Sequence, residues 1–258
     1  MQMRTSDVKA KKEFNEKGFP LNTKNILVSG LTFHYAEIGS DTQSTLLFIH
    51  GSPGSWDAYK GFMMDSALYS NYRLIAIDRP GFGYSEFGKP FNLIAQAEIV
   101  SDFIKSVQND KPLYLIGHSY GGPLILQLAS DTSLSITGVL VLAGSVSPYL
   151  EKPEKWRLPF LWAPAFIPRA LNVSNQELWW LKQDLYLLEK NLSLIKAKVS
   201  LVHGNLDRLV PYENMQFSFD KLTLAKSKDT LTIVGADHFI PWSHYPIVKD
   251  ALLKLTSE

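Results

Sequence analysis

Short, continuous apolar runs alternate with stretches of helical spacing along most of this chain. Residues 45–49, 72–77, 113–116, 137–143, 198–204 and 230–234 read as buried strands, each a run too short for a helix and rich in Leu, Ile and Val. Upstream, residues 25–29 and 31–35 flank Gly30 and predict an antiparallel hairpin at the sheet edge. Between the strands, Leu93, Ala97, Val100, Phe103, Ile104 and Val107 recur on one face of a helix. Pro123 opens another over residues 122–129, and Ile247, Val248, Ala251, Leu252 and Leu255 stripe a last one. Strand and helix in alternation predict an α/β fold, a parallel sheet with helices on both faces.

The alternation breaks between residues 144 and 196. That stretch carries Trp156, Phe160, Trp162, Phe166, Trp179 and Trp180 and five prolines after Ser147, and residues 177–192 read as helical. It is too long for a plain connection, so it is expected to be functional. We read residues 145–196 as a helical cap over the catalytic end of the sheet, its aromatics lining an apolar pocket and also holding it to the main domain. The domain division is then an N-terminal arm (1–24), a core (25–144 and 197–258) and the cap. The arm is polar and lysine-rich, expected as a solvated segment or short helix.

The chemistry concentrates at residues 113–122. A strand runs into Gly117-His118-Ser119-Tyr120-Gly121, which matches G-x-S-x-G, and a helix follows. The turn is sharp enough to strain its serine, and the positions two before and two after are crowded, so both are glycine. Ser119 is lifted above the sheet edge at a helix N-terminus, whose dipole favours a developing negative charge.

A serine hydroxyl is a weak nucleophile and needs a base in reach. Histidine suits, and an acid must fix its tautomer. Asp207 follows the strand at 198–204 and His238 follows the last strand, giving the order Ser–Asp–His that accompanies this motif. The loop after the strand at 45–49, His50-Gly51-Ser52-Pro53-Gly54, lies where the second oxyanion donor is expected. The candidate donors are the backbone N–H groups of Ser52 and Tyr120. Asp78 and Arg79 are expected to pin a loop by hydrogen bonds and an ion pair. His34 reads as a strand-surface residue and His50 and His203 as structural. His118 should leave the turn in another direction, and His244 is a weak candidate base. Asp237 adjoins His238 too closely to orient it, and no acid closely follows the strand at 137–143, the first being Glu151.

Composition narrows the classes. The chain has 258 residues, 45% hydrophobic, and a net charge of +1, which gives no reason to expect nucleic acid as a partner. With no cysteine it forms no disulfide, thiolate metal site or cysteine nucleophile, and its histidines lack metal-ligand spacing, so neither metal nor cofactor is expected. No stretch has the length and apolarity of a membrane span, and residues 1–24 lack the apolar core of a signal peptide. The expected compartment is the cytoplasm.

Taken together, residues 50–54, Asp78-Arg79-Pro80-Gly81-Phe82-Gly83, residues 117–122, Asp207 and His238 make the chain resemble the α/β-hydrolase superfamily from about Val28 to Leu255. The resemblance implies an eight-stranded, mostly parallel sheet with a cap inserted after the sixth strand. Members resembling epoxide hydrolases and haloalkane dehalogenases carry an aspartate where this chain has Ser119, which turns the expectation toward serine chemistry. The chain looks most like small capped esterases acting on an apolar ester, with Trp56, Trp162 and Trp242 as candidate pocket residues. The other readings are a C–C bond hydrolase, a thioesterase or a lyase on the same three residues, or a non-catalytic ligand-binding module. Oligomeric state is not addressed by the sequence.

Overall fold

The computed structural model describes residues 4–152, 158–159 and 167–257. Its strands are β1 (Asn22–Val28), β2 (Leu31–Ile38), β3 (Ser44–Ile49), β4 (Tyr72–Ile77), β5 (Leu113–His118), β6 (Ile136–Leu142), β7 (Lys198–Gly204) and β8 (Lys228–Ile233). They form one eight-stranded sheet in the order β1-β2-β4-β3-β5-β6-β7-β8. β1 and β2 pair antiparallel, β2 joins β4 antiparallel, and every other neighbour is parallel. The hairpin at the sheet edge closes tightly because Ser29 and Gly30 both take positive φ, 51° and 75°, the conformation of a two-residue turn.

Successive strand side chains face opposite ways, so each central strand feeds two cores. Leu47 and Ile49 of β3, Leu115 of β5 and Val139 and Val141 of β6 point into one core. Leu46, Phe48, Ile116, Leu140 and Leu142 point into the other. The first core is covered by α4 (Leu93–Val107), α5 (Gly121–Ala129) and α6 (Arg169–Asn191). The second is covered by α1 (Asp7–Glu16), the helical turns α2 (Lys60–Met63) and α3 (Ser66–Asn71), and the C-terminal α9 (Tyr245–Ser257). Two further helices, α7 (Asn214–Lys221) and α8 (Ile240–Ser243), follow β7 and β8.

Sequence and structure part at two places outside the site. The arm does form a short helix, but one that is docked on the core: α1 buries Ala10 and Phe14 completely, with the Phe14 ring 6.2 Å from that of Trp56. Thr5, Asp7 and Glu13 bind Asp57, His34 and Lys60 of the core. His34 is not at the surface either. It is fully buried, with Nδ1 2.8 Å from Asp78 Oδ2 and Nε2 3.3 Å from Asp7 Oδ1.

The inserted segment between β6 and β7 is described from Gly144 to Lys152, at residues 158–159 and from residue 167 onward. Its long helix α6 lies on α4 and α5, burying Val173, Leu181, Leu185 and Leu188.

Candidate active site

Ser119 sits between β5 and α5 with a φ of 55°, a left-handed backbone that costs a non-glycine residue roughly 1–3 kcal/mol. The turn closes tightly enough that a Cβ on Gly117 would strike the backbone of Gly121, and one on Gly121 would strike the Ile49 carbonyl. The Ser119 N–H donates to Leu142 O at 2.9 Å, locking the turn to the end of β6. Gly51 of the β3 loop passes so close that a Cβ there would lie 2.9 Å from Ser119 Cβ. Among the described residues, neither the Ser52 N–H nor the Tyr120 N–H donates a hydrogen bond.

Asp207 lies in the loop after β7. The N–H groups of Leu209 and Val210 both donate to its Oδ1 at 2.8 Å, so the loop wraps its own carboxylate. Its Oδ2 faces His238 Nδ1 at 2.7 Å, and the carboxylate side chain is fully buried. Burial alone would raise the Asp207 pKa. Hydrogen bonds from His203 and His238 and from the Val210 N–H outweigh it and hold the carboxyl well below the usual carboxylate range. The other nitrogen of His238 is left for chemistry. Among the described residues Ser119 Oγ is not hydrogen-bonded to His238, and the two residues line the same cavity.

Ser52, Ser119, Tyr120 and His238 open onto one cavity of about 780 Å³. Leu171, Leu178 and Leu181 of α6, together with Val210 and Trp242, give it an apolar wall. Ser52 Oγ donates to Ser174 Oγ of α6 at 2.8 Å across its floor. Among the described residues, no three His, Cys, Asp or Glu side chains group as metal ligands, and no helix is long and apolar enough to cross a membrane.

The family described as alpha/beta hydrolase fold matches residues 44–182, more than half of the chain. The chain belongs to the alpha/beta hydrolase fold family. Within that family it is 29% identical over 113 residues to epoxide hydrolase 1 of Caenorhabditis elegans, covering 43% of this chain and 27% of that protein. It is 29% identical over 118 residues to epoxide hydrolase 3 of Xenopus tropicalis, covering 44% and 31%. In these matches the chain spans less than a third of the relatives' own length. Among solved alpha/beta hydrolase structures, 2-hydroxy-6-oxo-6-phenylhexa-2,4-dienoate hydrolase of a Rhodococcus strain superposes with a TM-score of 0.76 at 17% identity, over 93% of this chain and all of that one. A putative lipase of Acinetobacter baumannii superposes at 0.68 and 20% identity, over 100% and 99%.

The alpha/beta hydrolase chain departs from the sequence reading at its tryptophans. Trp56 does not line the cavity: its side chain turns away and is fully buried against Phe14 in the second core. It opens a helical turn on the far side of the β3 loop, and the direction of a turn residue is set by packing that spacing does not encode. Trp162 lies outside the described residues. Trp242 does line the cavity, 45% exposed, with its indole N–H donating to Ala58 O at 2.7 Å.

Three histidines take roles around the site. His118 reaches His238, its Nε2 2.9 Å from the His238 carbonyl, and burial and then the neighbouring His238 push its pKa down to about 3. His50 stays neutral for the same first reason, burial, and then because of Arg79. Its Nε2 accepts from the Arg79 N–H at 3.0 Å, so Nδ1 carries the hydrogen that faces Gly51 O at 2.7 Å. His203 Nε2 stands 3.1 Å from Asp207 Oδ2, a contact whose only trace in the sequence is the spacing of four residues. His244 bonds Ser243 and lies outside the cavity lining. Asp78 and Arg79 do pin loops. Asp78 accepts from the Trp56 and Tyr84 N–H groups at 2.8 Å each, and Arg79 pairs with Glu177 of α6.

Proposed function

We propose that this alpha/beta hydrolase is a serine hydrolase that cleaves a small or medium apolar carboxylic ester through an acyl-enzyme on Ser119. The observation that carries the reading is the buried Asp207–His238 contact of 2.7 Å, opening onto the cavity where Ser119 is held at positive φ. His238 takes the Ser119 proton as the hydroxyl attacks the carbonyl. Asp207, held ionised, fixes the Nδ1–H tautomer and stabilises the imidazolium. The unpaired N–H groups of Ser52 and Tyr120 supply the oxyanion hole, each worth about 10²–10³ in rate. His238 then protonates the leaving alcohol, and water releases the acyl group by the same route. The leucines of α6, acting as a cap, and Trp242 favour an apolar acyl chain.

Sequence similarity to epoxide hydrolases raises the alternative of epoxide opening. A serine that attacked an epoxide carbon would end as an alkyl ether, which has no carbonyl for water to attack. Ser119 therefore favours acyl chemistry. A panel of p-nitrophenyl esters of graded acyl length tests the proposal. Saturable turnover that is lost in Ser119→Ala is expected. Turnover of no ester, with cleavage of a thioester or a vinylogous 1,5-diketone instead, would move the reaction to another bond.

A further inference from the structure

Arg79 is fully buried, and all five of its guanidinium N–H groups have acceptors. Nε donates to His50 O at 2.9 Å. One terminal nitrogen donates to Gln96 Oε1 at 2.6 Å and Glu177 Oε2 at 2.8 Å. The other donates to Gly51 O and Glu177 Oε1, each at 2.9 Å. The side chain thus ties the β3 loop (His50, Gly51) to α4 (Gln96) and to the inserted helix α6 (Glu177). Glu177 is itself fully buried and receives a further bond from Gln96 Nε2 at 2.8 Å.

The bond to Gly51 O matters for chemistry, because that carbonyl shares its peptide with the Ser52 N–H. In a trans peptide C=O and N–H point in opposite directions. Fixing the oxygen on the Arg79 side therefore fixes the hydrogen on the other, and the cationic donor polarises the peptide so that the N–H becomes a stronger donor. His50 Nδ1–H adds a second bond to the same oxygen at 2.7 Å. The guanidinium carbon also lies 4.4 Å from the ring centroid of Tyr120, the residue of the other donor, whose hydroxyl accepts from Gln96 Nε2 at 3.3 Å. One cation therefore touches the Gly51 carbonyl, which shares its peptide with the Ser52 N–H, and the ring of Tyr120, and its counter-ion comes from the helix that walls the cavity.

We propose that Arg79 is the positioning residue of the oxyanion hole and that Glu177, by neutralising it, makes the inserted helix and the Ser52 loop one mechanical unit. This rests on the serine-hydrolase reading, with Ser52 and Tyr120 as donors. Arg79 touches no substrate and acts through the Gly51–Ser52 peptide, so its loss should affect the charged transition state and spare ground-state binding.

The test is the paired variant Arg79→Met/Glu177→Met, which removes both buried charges together and leaves neither unpaired. On the best ester of the panel we expect kcat to fall about 10- to 100-fold with KM within about threefold. Affinity for a trifluoromethyl ketone, which adds to Ser119 as an oxyanion, should fall by the same factor, while that of the corresponding non-electrophilic ketone analogue holds. A folded double variant with wild-type kcat and wild-type trifluoromethyl ketone affinity overturns the proposal. If the double variant does not fold, Arg79→Lys decides. It keeps a cation for Glu177 but cannot span the five acceptors, so kcat should fall with KM retained, and wild-type kcat overturns the proposal. Fluorophosphonate labelling separates this failure from that of the hydrolase reading. An unlabelled wild type removes both, whereas wild type and double variant labelled at equal rates leave the hydrolase standing and remove the role of Arg79.

Discussion

His203 Nε2 lies 3.1 Å from Asp207 Oδ2, the same carboxylate oxygen that faces His238 Nδ1 at 2.7 Å. The same His203 nitrogen faces the Val210 carbonyl at 3.2 Å, and an atom between two acceptors must carry a hydrogen. Asp207 is thus served by four N–H donors, two imidazoles on one oxygen and two backbone amides on the other.

His203→Phe removes one of those donors and keeps a ring in the core. Because Asp207 has a depressed folded pKa, it contributes stability above its unfolded value near 3.9 that is lost as pH falls through the folded value. Weakening the depression shrinks that contribution. We expect a loss of about 1.5–3 kcal/mol at pH 7 in urea unfolding, the value of a hydrogen bond to a charged group, and acid unfolding at a higher pH. Unchanged stability at pH 7 would contradict this.

His118 responds to acid in the same direction but in a higher pH window. Its folded pKa of about 3 lies below the unfolded value of about 6.5, so between those limits the unfolded chain binds the extra proton. Stability is full above pH 6.5 and falls as pH drops through that window, by about 1.4 kcal/mol per pH unit for this one group. His118→Gln keeps a donor for the His238 carbonyl and removes the titration. Unfolding free energies measured between pH 6.5 and 4.5 should therefore slope less in the variant by one proton, and parallel slopes would refute the assignment.

Gly117→Ala places a methyl group against the Gly121 backbone. Such overpacking costs about 1–3 kcal/mol, and here the strain falls on the turn that aims Ser119. Ester turnover should fall more than tenfold in a protein that still folds. A fully active alanine variant would show that the turn has room to open.

Phe14→Ala tests the docking of α1. Phe14 is fully buried and packs on Trp56. Truncating such a phenylalanine costs about 3–5 kcal/mol. The urea midpoint should drop accordingly with a change in tryptophan emission, whereas a loss under about 1 kcal/mol would mean that α1 is held by its polar contacts alone.

Much of this arrangement was legible in the sequence, for local reasons. The glycines at 117 and 121 are demanded by backbone crowding and visible as a motif, and Ser119, Asp207 and His238 each follow a strand, β5, β7 and β8, that the apolar runs mark. The apolar spacing from Leu93 to Val107 is that of α4, which spans the same residues. What was not legible depends on contacts between distant segments. His34 alternates like a surface residue, yet Asp78 and Asp7 meet it from opposite sides, 44 and 27 positions away. Trp56 sits beside a catalytic loop in sequence and is turned into the core by Phe14, 42 positions upstream. Glu177 reads as one polar residue of an amphipathic helix, and only folding brings it to Arg79, 98 positions away.

Labelling with a fluorophosphonate, read by intact mass, tests whether Ser119 is an activated nucleophile without any choice of substrate. A single adduct is expected on the wild-type chain, none in Ser119→Ala, and labelling slowed at least a hundredfold in His238→Ala. A wild-type chain that takes no adduct from a probe small enough for the 780 Å³ cavity would contradict the account and leave a ligand-binding module in its place.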